Sequence, residues 1–467
     1  MDGQNLSVGR NLKIATFHLG SGMSDVLTTG VWNRIMISDL GFAATPISLL
    51  LALRYFLAPV GVWAGRMSDE RTYFGFRRLF WVWLGRLMMV ITIFSLGLAT
   101  AQLARLGGTG HESAAFLWIV IALSMLLFSV GGAISGTNFL ALIYDRAPEH
   151  QRGRAVGIVW TFLLLGFTVG GITFGILLPS KPLEQQAITG LSFAPDALQT
   201  MFIVVGLLFA TLWLFSVLGE ERRLTPAEAA QNQRQAEEGP RRTIAQELSL
   251  VWTSRPMRYF FFFLVISMFF AFSQDSVLEP FAGDVFGVSA QETNRFSAYW
   301  GLTAIVSTLV FIFWSRKNPR LSNTFMSQAG VAALIAAFAM FGAAAFLDAR
   351  ALLKPGLLVL GIGLGIWNVG ALGLMMVMSP LGRAGTFLGF WTMAVTFARG
   401  GGVAVGGMVR DLWLNITGDM ATAYGMVFVA GAIGLAISAY CLAQVNIKQF
   451  KAEMQGSTAS IFAAAMD

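Results

Sequence analysis

Apolar runs about twenty residues long recur from one end of this chain to the other, and that recurrence leaves few architectures open. Each run is long enough to cross a hydrocarbon layer as a helix, and within that layer every backbone N–H and C=O must be satisfied inside the chain. Twelve candidate spans fall at approximately 12–37, 43–64, 79–103, 115–140, 155–178, 198–218, 257–281, 296–314, 322–347, 353–379, 385–409 and 420–443. The expected fold class is an all-α polytopic membrane protein with twelve transmembrane helices. Composition agrees: of 467 residues, 55% are hydrophobic and 12% charged, about half the charged share of a soluble chain, and the mean hydropathy is +0.66. The first span is the least apolar, because it carries His18, Asp25, Asn33 and Arg34. Cys441 is the one cysteine, so no internal disulfide forms and the thiol reads as a small buried apolar group. No secretory apolar region with a cleavage site precedes the first span, which is expected to act as the insertion signal.

The widest interruption is 219–256, whose stretch EERRLTPAEAAQNQRQAEEGPRRT is polar and free of aromatics. It reads as a linker, helical in part from a Thr225-Pro226 start signal. It divides the chain into a six-span half at 1–218 and a second at 257–443, followed by a tail at 444–467. Lysines and arginines distribute unequally: 22 of the 32 fall on the side of the termini and the linker, 6 on the other, and 4 (Arg34, Arg54, Arg86, Arg399) within spans. That bias puts both termini in the cytoplasm. The net charge of +7 is thus a topology signal and gives no reason to invoke nucleic acid.

The seventh span ends in FSQDSVLEPFAGDVFGVSAQETNRFSAYWG, from Phe272 to Gly301, which places Gln274, Asp275 and Glu279 inside an apolar run. A carboxylate there costs several kcal/mol unless it is paired, protonated or facing a wet cavity. A continuous helix puts Asp275 and Glu279 on one face a turn apart, where like charges repel, and Pro280 is expected to kink or end it. The first span ends similarly, in WNRIMISDLGFAAT. Aligning Gly41 with Gly287 sets Asn33 opposite Glu279 and Leu40 opposite Phe286, which suggests two repeats with a site between them near the midplane.

Depth along the helices brings other charges together. Asp25 and Arg54 lie about equally far from the turn between the first two spans, so they are expected to pair. Arg34 and Glu279 share a depth near the other face, where a bridge between them would serve as a gate latch or as static cement. Arg399 stands beside Gly400–Gly402, where backbone has room to approach a ligand, and Arg86 is placed to snorkel. Glycines 166, 170, 171 and 175, and the Gly361–Gly363–Gly365 series, read as close helix packing. No Cys/His metal spacing, phosphate-cradling loop or nucleophile–base set stands out, so neither a metal site nor an enzyme is expected.

The loop between the second and third spans carries Gly65, Ser68 and Asp69, then Gly75, Arg77 and Arg78. This resembles the corresponding loop motif of the major facilitator superfamily, which implies that superfamily's fold of two six-helix halves. A narrower resemblance covers nearly all the membrane region. Gln274-Asp275, Leu278-Glu279-Pro280, Val285-Phe286-Gly287, Ser289, Glu292-Thr293 and Trp300-Gly301 look like the PucC/LhaA/BCH2 family of bacteriochlorophyll-linked membrane proteins. Asn33 to Ile37 with Leu40-Gly41, and Ser68-Asp69 with Phe80, Trp81 and Trp83, are similar to that family as well. The resemblance implies a bacterial inner or intracytoplasmic photosynthetic membrane and a part in assembling light-harvesting complexes. Its implied cargo is bacteriochlorophyll, and its implied partners are antenna polypeptides, bacteriochlorophyll-synthesis enzymes and membrane lipids. The 39 Phe and 13 Trp suffice to wall a pigment slot. Of three histidines only His18 lies in a span, on the face that carries Asp25; it offers an axial ligand for the pigment's Mg, against the plainer reading of a structural histidine. His111 and His150 read as solvated loop residues. The competing expectation is a proton-coupled transporter of a small solute or tetrapyrrole with Asp25, Asp275 and Glu279 as proton carriers.

Overall fold

The computed structural model describes residues 6–107, 112–225, 228, 254–318, 321–379, 384–447 and 449–450. Among these, the regular elements are helices, and the only strand-like pairing is an isolated bridge between Tyr73 and Phe76. The first span is α1 (Val8–Val26), prolonged by two π-helical turns at Leu27–Trp32 and Ile35–Asp39. The second is α2 (Ala44–Phe56) and α3 (Ala58–Glu70), jointed at Leu57. The third to sixth are α4 (Leu79–Arg105), α5 (Glu112–Arg146), α6 (Glu149–Leu177) and α8 (Pro195–Val217), with a short α7 (Leu183–Thr189) before the last. The seventh is split into α9 (Arg255–Ala271) and α10 (Leu278–Phe286), and α11 (Ala290–Thr293) precedes the eighth, α12 (Phe296–Lys317). Then follow α13 (Asn323–Phe346), α14 (Leu353–Val377), α15 (Ala384–Thr417) and α16 (Met420–Ala443).

Twelve spans thus stand where apolar runs predict them, with helices extending beyond the expected ends. Among the described residues nine helices are long and apolar enough to cross a membrane by that measure alone. The first, seventh and eleventh spans are not among these nine, and the pieces of the seventh are 17 and 9 residues long. The linker from 229 to 253 and the tail from 451 lie outside the described residues. At the linker's start, Glu228 Oε2 accepts from Thr225 N at 2.8 Å and the Thr225 hydroxyl accepts from Glu228 N at 3.4 Å, the reciprocal cap that a Thr-x-x-Glu start signal makes.

The chain packs as two compact units. The first comprises Met1–Gly239, Asp275–Leu302 and Val403–Ala421, so α10, α11, the start of α12 and the end of α15 pack with the first six spans. Its core is aromatic, with Phe17, Trp32, Phe139, Phe174, Phe202 and Phe209 fully buried, and the Trp32 indole donates to Thr100 Oγ1 at 3.1 Å. Where α1 crosses α6, Gly22 meets Leu163 O and the Gly166 backbone, and Gly166 meets Leu19 O and Gly22, so neither position has room for a Cβ. The second unit holds α9 and most of α12 to α16, with α13 and α14 its most extensively packed pair.

The α1 and α10 ends match in detail. Gly41 and Gly287 both take left-handed backbone, at φ 69° and 62°. One residue on, Phe42 N donates to Met36 O at 3.0 Å and Val288 N to Ala282 O at 3.1 Å, the same six-residue closure at aligned positions. The seventh span itself departs from expectation. Residues 272–277 run as turns, so Asp275 is not helical and shares no helix face with Glu279. Pro280 does not end the helix; it sits in the first turn of α10, where its missing N–H has no helical partner to lose.

Filling the α1–α6 crossing is the direct test of this packing. Gly166→Leu is expected to cost at least about 1–3 kcal/mol, the usual penalty of overpacking. Thermal unfolding of the purified variant reads it, and an unchanged midpoint would contradict the crossing.

Candidate functional site

The polar side chains of α1 form two groups. In the first, His18 is 8% exposed and lies among rings: Phe139 at 5.1 Å, Phe17 at 5.7 Å and Trp160 edge-on at 5.8 Å. Its Nδ1 is buried without a hydrogen-bond partner. Next to this frame the Arg86 guanidinium lies over the rings of Phe17 at 4.0 Å and Trp213 at 4.4 Å and donates to Ser21 Oγ at 3.1 Å. Arg86 therefore does not snorkel as expected; aromatic faces and a hydroxyl hold it inside the bundle. Further along α1, Asp25 pairs with Arg54, as depth implies, and Arg54 Nη2 donates to the Tyr55 hydroxyl at 2.8 Å. The Asp25 and Arg54 side chains are 29% and 14% exposed at span depth. Thr28 and Thr29 donate to Asp25 O at 3.0 and 2.8 Å, turning their hydroxyls back onto the helix.

The second group lies at the Asp39 end of α1. Asn33 Oδ1 accepts from Arg34 N at 2.6 Å, while its Nδ2 donates to Ser276 O at 3.2 Å, answering a carbonyl that the broken seventh span leaves open. Arg34 makes no bridge to Glu279. Its Nη1 pairs with Asp39 Oδ2 at 2.6 Å and its Nη2 donates to Val288 O at 2.9 Å, with Gly283 leaving room for the guanidinium. Asp39 Oδ1 also accepts from the Ser192 hydroxyl at 2.7 Å. Ser38 bonds Asp284, whose other oxygen meets Arg410 Nη2 at 3.2 Å; Arg410 Nη1 meets Asp411 Oδ1 at 2.8 Å. The Asp411 carboxylate caps α2 by accepting from Ala44 N at 3.0 Å and Thr45 N at 2.7 Å. Glu279 stands apart from this chain of charges, 5% exposed and with no cation within ion-pair distance among the described residues.

In the second unit the Arg399 guanidinium lies 4.0 Å over the Phe272 ring. Gly401 and Gly402 press on Phe269 of α9, Gly402 on its backbone carbonyl, so both serve close helix packing. Gln274 is buried, and Asp275 contributes its carbonyl toward Asn33. Glycines 363 and 365 pack on Leu334 and on Ala304 with Ser307, as their spacing implies.

The loop after α3 closes on itself. Arg78 meets Asp69 Oδ1 at 2.5 Å, Asp145 Oδ2 at 3.2 Å and the Ser68 hydroxyl, while Arg77 meets Asp145 Oδ2 at 2.7 Å. Gly75 turns through φ 80°, and its carbonyl accepts from Leu224 N at 2.8 Å. Gly65 packs on Thr137 of α5. Two residues absent from the sequence expectations complete the motif. Glu221 accepts from the backbone N–H groups of Arg77, Arg78 and Leu79, capping α4, and buried Glu220 pairs with Arg10 at 2.8 Å and Lys13 at 3.0 Å. His150 is exposed as expected but stands in the first turn of α6 rather than in a loop, and His111 lies outside the described residues.

Asp39, Asp284, Arg410 and Asp411 escape sequence reasoning because they fall at span ends, where charge is unremarkable. Their i, i+1 and i, i+5 spacings within α15 and α1 carry no sign of a partner on another helix. Among the described residues no three His, Cys, Asp or Glu side chains gather as a transition-metal site would need.

Twelve helices with a broken seventh span define a major facilitator fold, and solved structures agree. A bacterial homolog of the human lysosomal transporter Spinster superposes with a TM-score of 0.66 at 15% identity, covering 95% of this chain and 97% of that one. A D-xylose–proton symporter gives 0.59 at 16% identity, covering 91% and 96%. Within that fold the chain belongs to the PUCC protein family, whose model matches residues 31–450. The Bacteriochlorophyll synthase 44.5 kDa chain of Rhodobacter capsulatus is 30% identical over 91% of this chain and 93% of its own length. Protein PucC of Rhodovulum sulfidophilum is 29% identical over 87% and 86%.

The Asp25–Arg54 pair can be weighed in a double-mutant cycle with Asp25→Asn and Arg54→Gln. The coupling is expected at about 0.5–3 kcal/mol, the range for contacting partners. Strictly additive losses in unfolding free energy would mean that the two charges stand together without holding the spans together.

Proposed function

We propose that this protein is a membrane assembly factor for photosynthetic light-harvesting complexes, binding or delivering bacteriochlorophyll, nascent antenna polypeptides, or both. Its family and the names of its relatives support the reading, and one observation carries it: a buried imidazole framed by rings. His18 presents a ring nitrogen with no protein partner beside Phe139 and a half-exposed Trp160, the surroundings that a flat apolar macrocycle with a central Mg requires. His18 would then supply the axial ligand, and the rings would stack on the macrocycle. The protein acts without catalysing a reaction, and its partners are antenna polypeptides, bacteriochlorophyll-synthesis enzymes and lipids. It lies in the bacterial inner membrane with both termini cytoplasmic, a reading supported by the 22-to-6 division of basic residues.

A second reading, proton-coupled transport of a small solute or tetrapyrrole, is favoured by the part-exposed Asp25–Arg54 pair within the spans. Protonation of Asp25 releases Arg54 for an anionic cargo, with Asp275 and Glu279 as further carriers.

An absorption spectrum of the protein purified gently from its native membrane separates the two. Pigment holding predicts a near-infrared band at near-stoichiometric level that falls severalfold in His18→Phe, a change that keeps the aromatic packing. Colourless, folded protein with no antenna polypeptide attached sinks it, and substrate-dependent proton flux abolished by Asp25→Asn would establish the second reading instead.

A further inference from the structure

Arg86 is a guanidinium embedded in the third span without an acid of its own. It is 7% exposed, and among the described residues no carboxylate stands within ion-pair distance of it. Its Nη2 meets the Ser21 hydroxyl at 3.1 Å, its Nη1 meets only the Met89 thioether at 3.2 Å, and its Nε has no partner. The faces of Phe17 and Trp213 ease the burial of this cation but do not neutralise it. Asp25 acts on it from further off and is already paired with Arg54, so two guanidiniums share one carboxylate and a positive charge is left over at span depth. Ser21 fixes where that charge lies. His18, Ser21 and Asp25 fall at i, i+3 and i+7, one stripe of α1. The guanidinium held on Ser21 therefore stands a turn from His18, within electrostatic reach of the imidazole. The stripe is not sealed, since Ser21 is partly exposed and the Asp25 side chain 29% exposed. Beside His18, Trp160 of α6 is 49% exposed, and a Cβ at Gly157, one turn before it, would meet nothing within 4 Å.

We propose that Arg86 receives a carboxylate of the cargo, so that the pigment seated on His18 is its free acid and not its long-chain ester. The inference rests on His18 as the Mg ligand and adds the group that reads the rim of the macrocycle. A tetrapyrrole carries its propionate on the edge of the ring, about a ring's radius from the central metal, and the two side chains stand a helical turn apart on one stripe. An ionised carboxylate takes paired N–H bonds from a guanidinium and cancels its charge, whereas an ester offers a neutral carbonyl and leaves the charge in place. Taken up in this form, the pigment has yet to be esterified, so the reaction that consumes the released cargo is the transfer of an alkyl chain onto its propionate.

Titrating the purified full chain in detergent with the free acid of bacteriochlorophyll and with its methyl ester tests this, at about pH 8, where the free acid is ionised. The two pigments share ring and metal and differ in one charge. Quenching of tryptophan fluorescence reads both dissociation constants. The wild type should bind the free acid about tenfold or more tightly than the methyl ester, as expected for a charge-assisted pair. The preference should vanish in Arg86→Met, whose thioether suits a place between two rings, and survive in His18→Phe, which weakens both pigments alike. Should Arg86→Met not fold, Arg86→Lys decides: it keeps the charge and loses the fork, so the free acid should bind several-fold more weakly with the methyl ester unchanged. Equal affinities in the wild type, a preference that persists in Arg86→Met, or an undiminished free-acid affinity in Arg86→Lys would each overturn the carboxylate site while His18 still holds pigment. Binding of neither pigment would overturn the reading of His18 along with it.

Discussion

Placing ionisable groups within apolar spans is expensive, and the first unit is arranged around meeting that cost. Each embedded guanidinium is answered across to another segment: Arg54 by Asp25, Arg86 by Ser21 and two aromatic faces, Arg410 by Asp284, and Arg34 by Val288 O in addition to Asp39 of its own span. Apolar packing between spans is weakly directional, because lipid tails offer the same contacts as a neighbouring leucine. A charge that finds its partner in only one register is directional, so these pairs specify which helix lies against which and at what height. The glycine contacts of α1 with α6 bring the backbones close, and the charges then fix the slide.

Much of this is legible in the sequence. Span positions, the Asp25–Arg54 pair and the packing glycines follow from hydropathy, rise per residue and four-residue spacing. The family follows from motifs at Gly65 to Arg78 and Gln274 to Gly301, matched by the family model over 31–450. Where sequence reasoning fails, the reasons are local. Depth assigns Arg34 to Glu279, yet Asp39, five residues on, is within reach because the intervening turns are π-helical and bring it round. Nearness to the cytoplasmic end of its span sends Arg86 to the interface, whereas the faces of Phe17 and Trp213 hold it inside the bundle.

The seventh span shows how a break is made without a proline doing the breaking. Its helix stops at Ala271, six residues run as turns, and the new helix begins with Pro280 in its first turn. The carbonyls freed by the break are used, Ser276 O by Asn33, and the Ser276 hydroxyl in turn reaches Val403 O at 3.0 Å. Aligned glycines close α1 and α10 with the same hydrogen bond, so the repeat is a likeness of capping geometry as well as of sequence.

Glu220 and Glu221 give the first six spans a fastening that draws on nothing beyond the linker. Glu221 follows α8 directly and caps α4, while Glu220 beside it neutralises Arg10 and Lys13 at the start of α1. With Leu224 bonded to Gly75, every residue that ties the exit of the sixth span to the first and third precedes α9 in the chain.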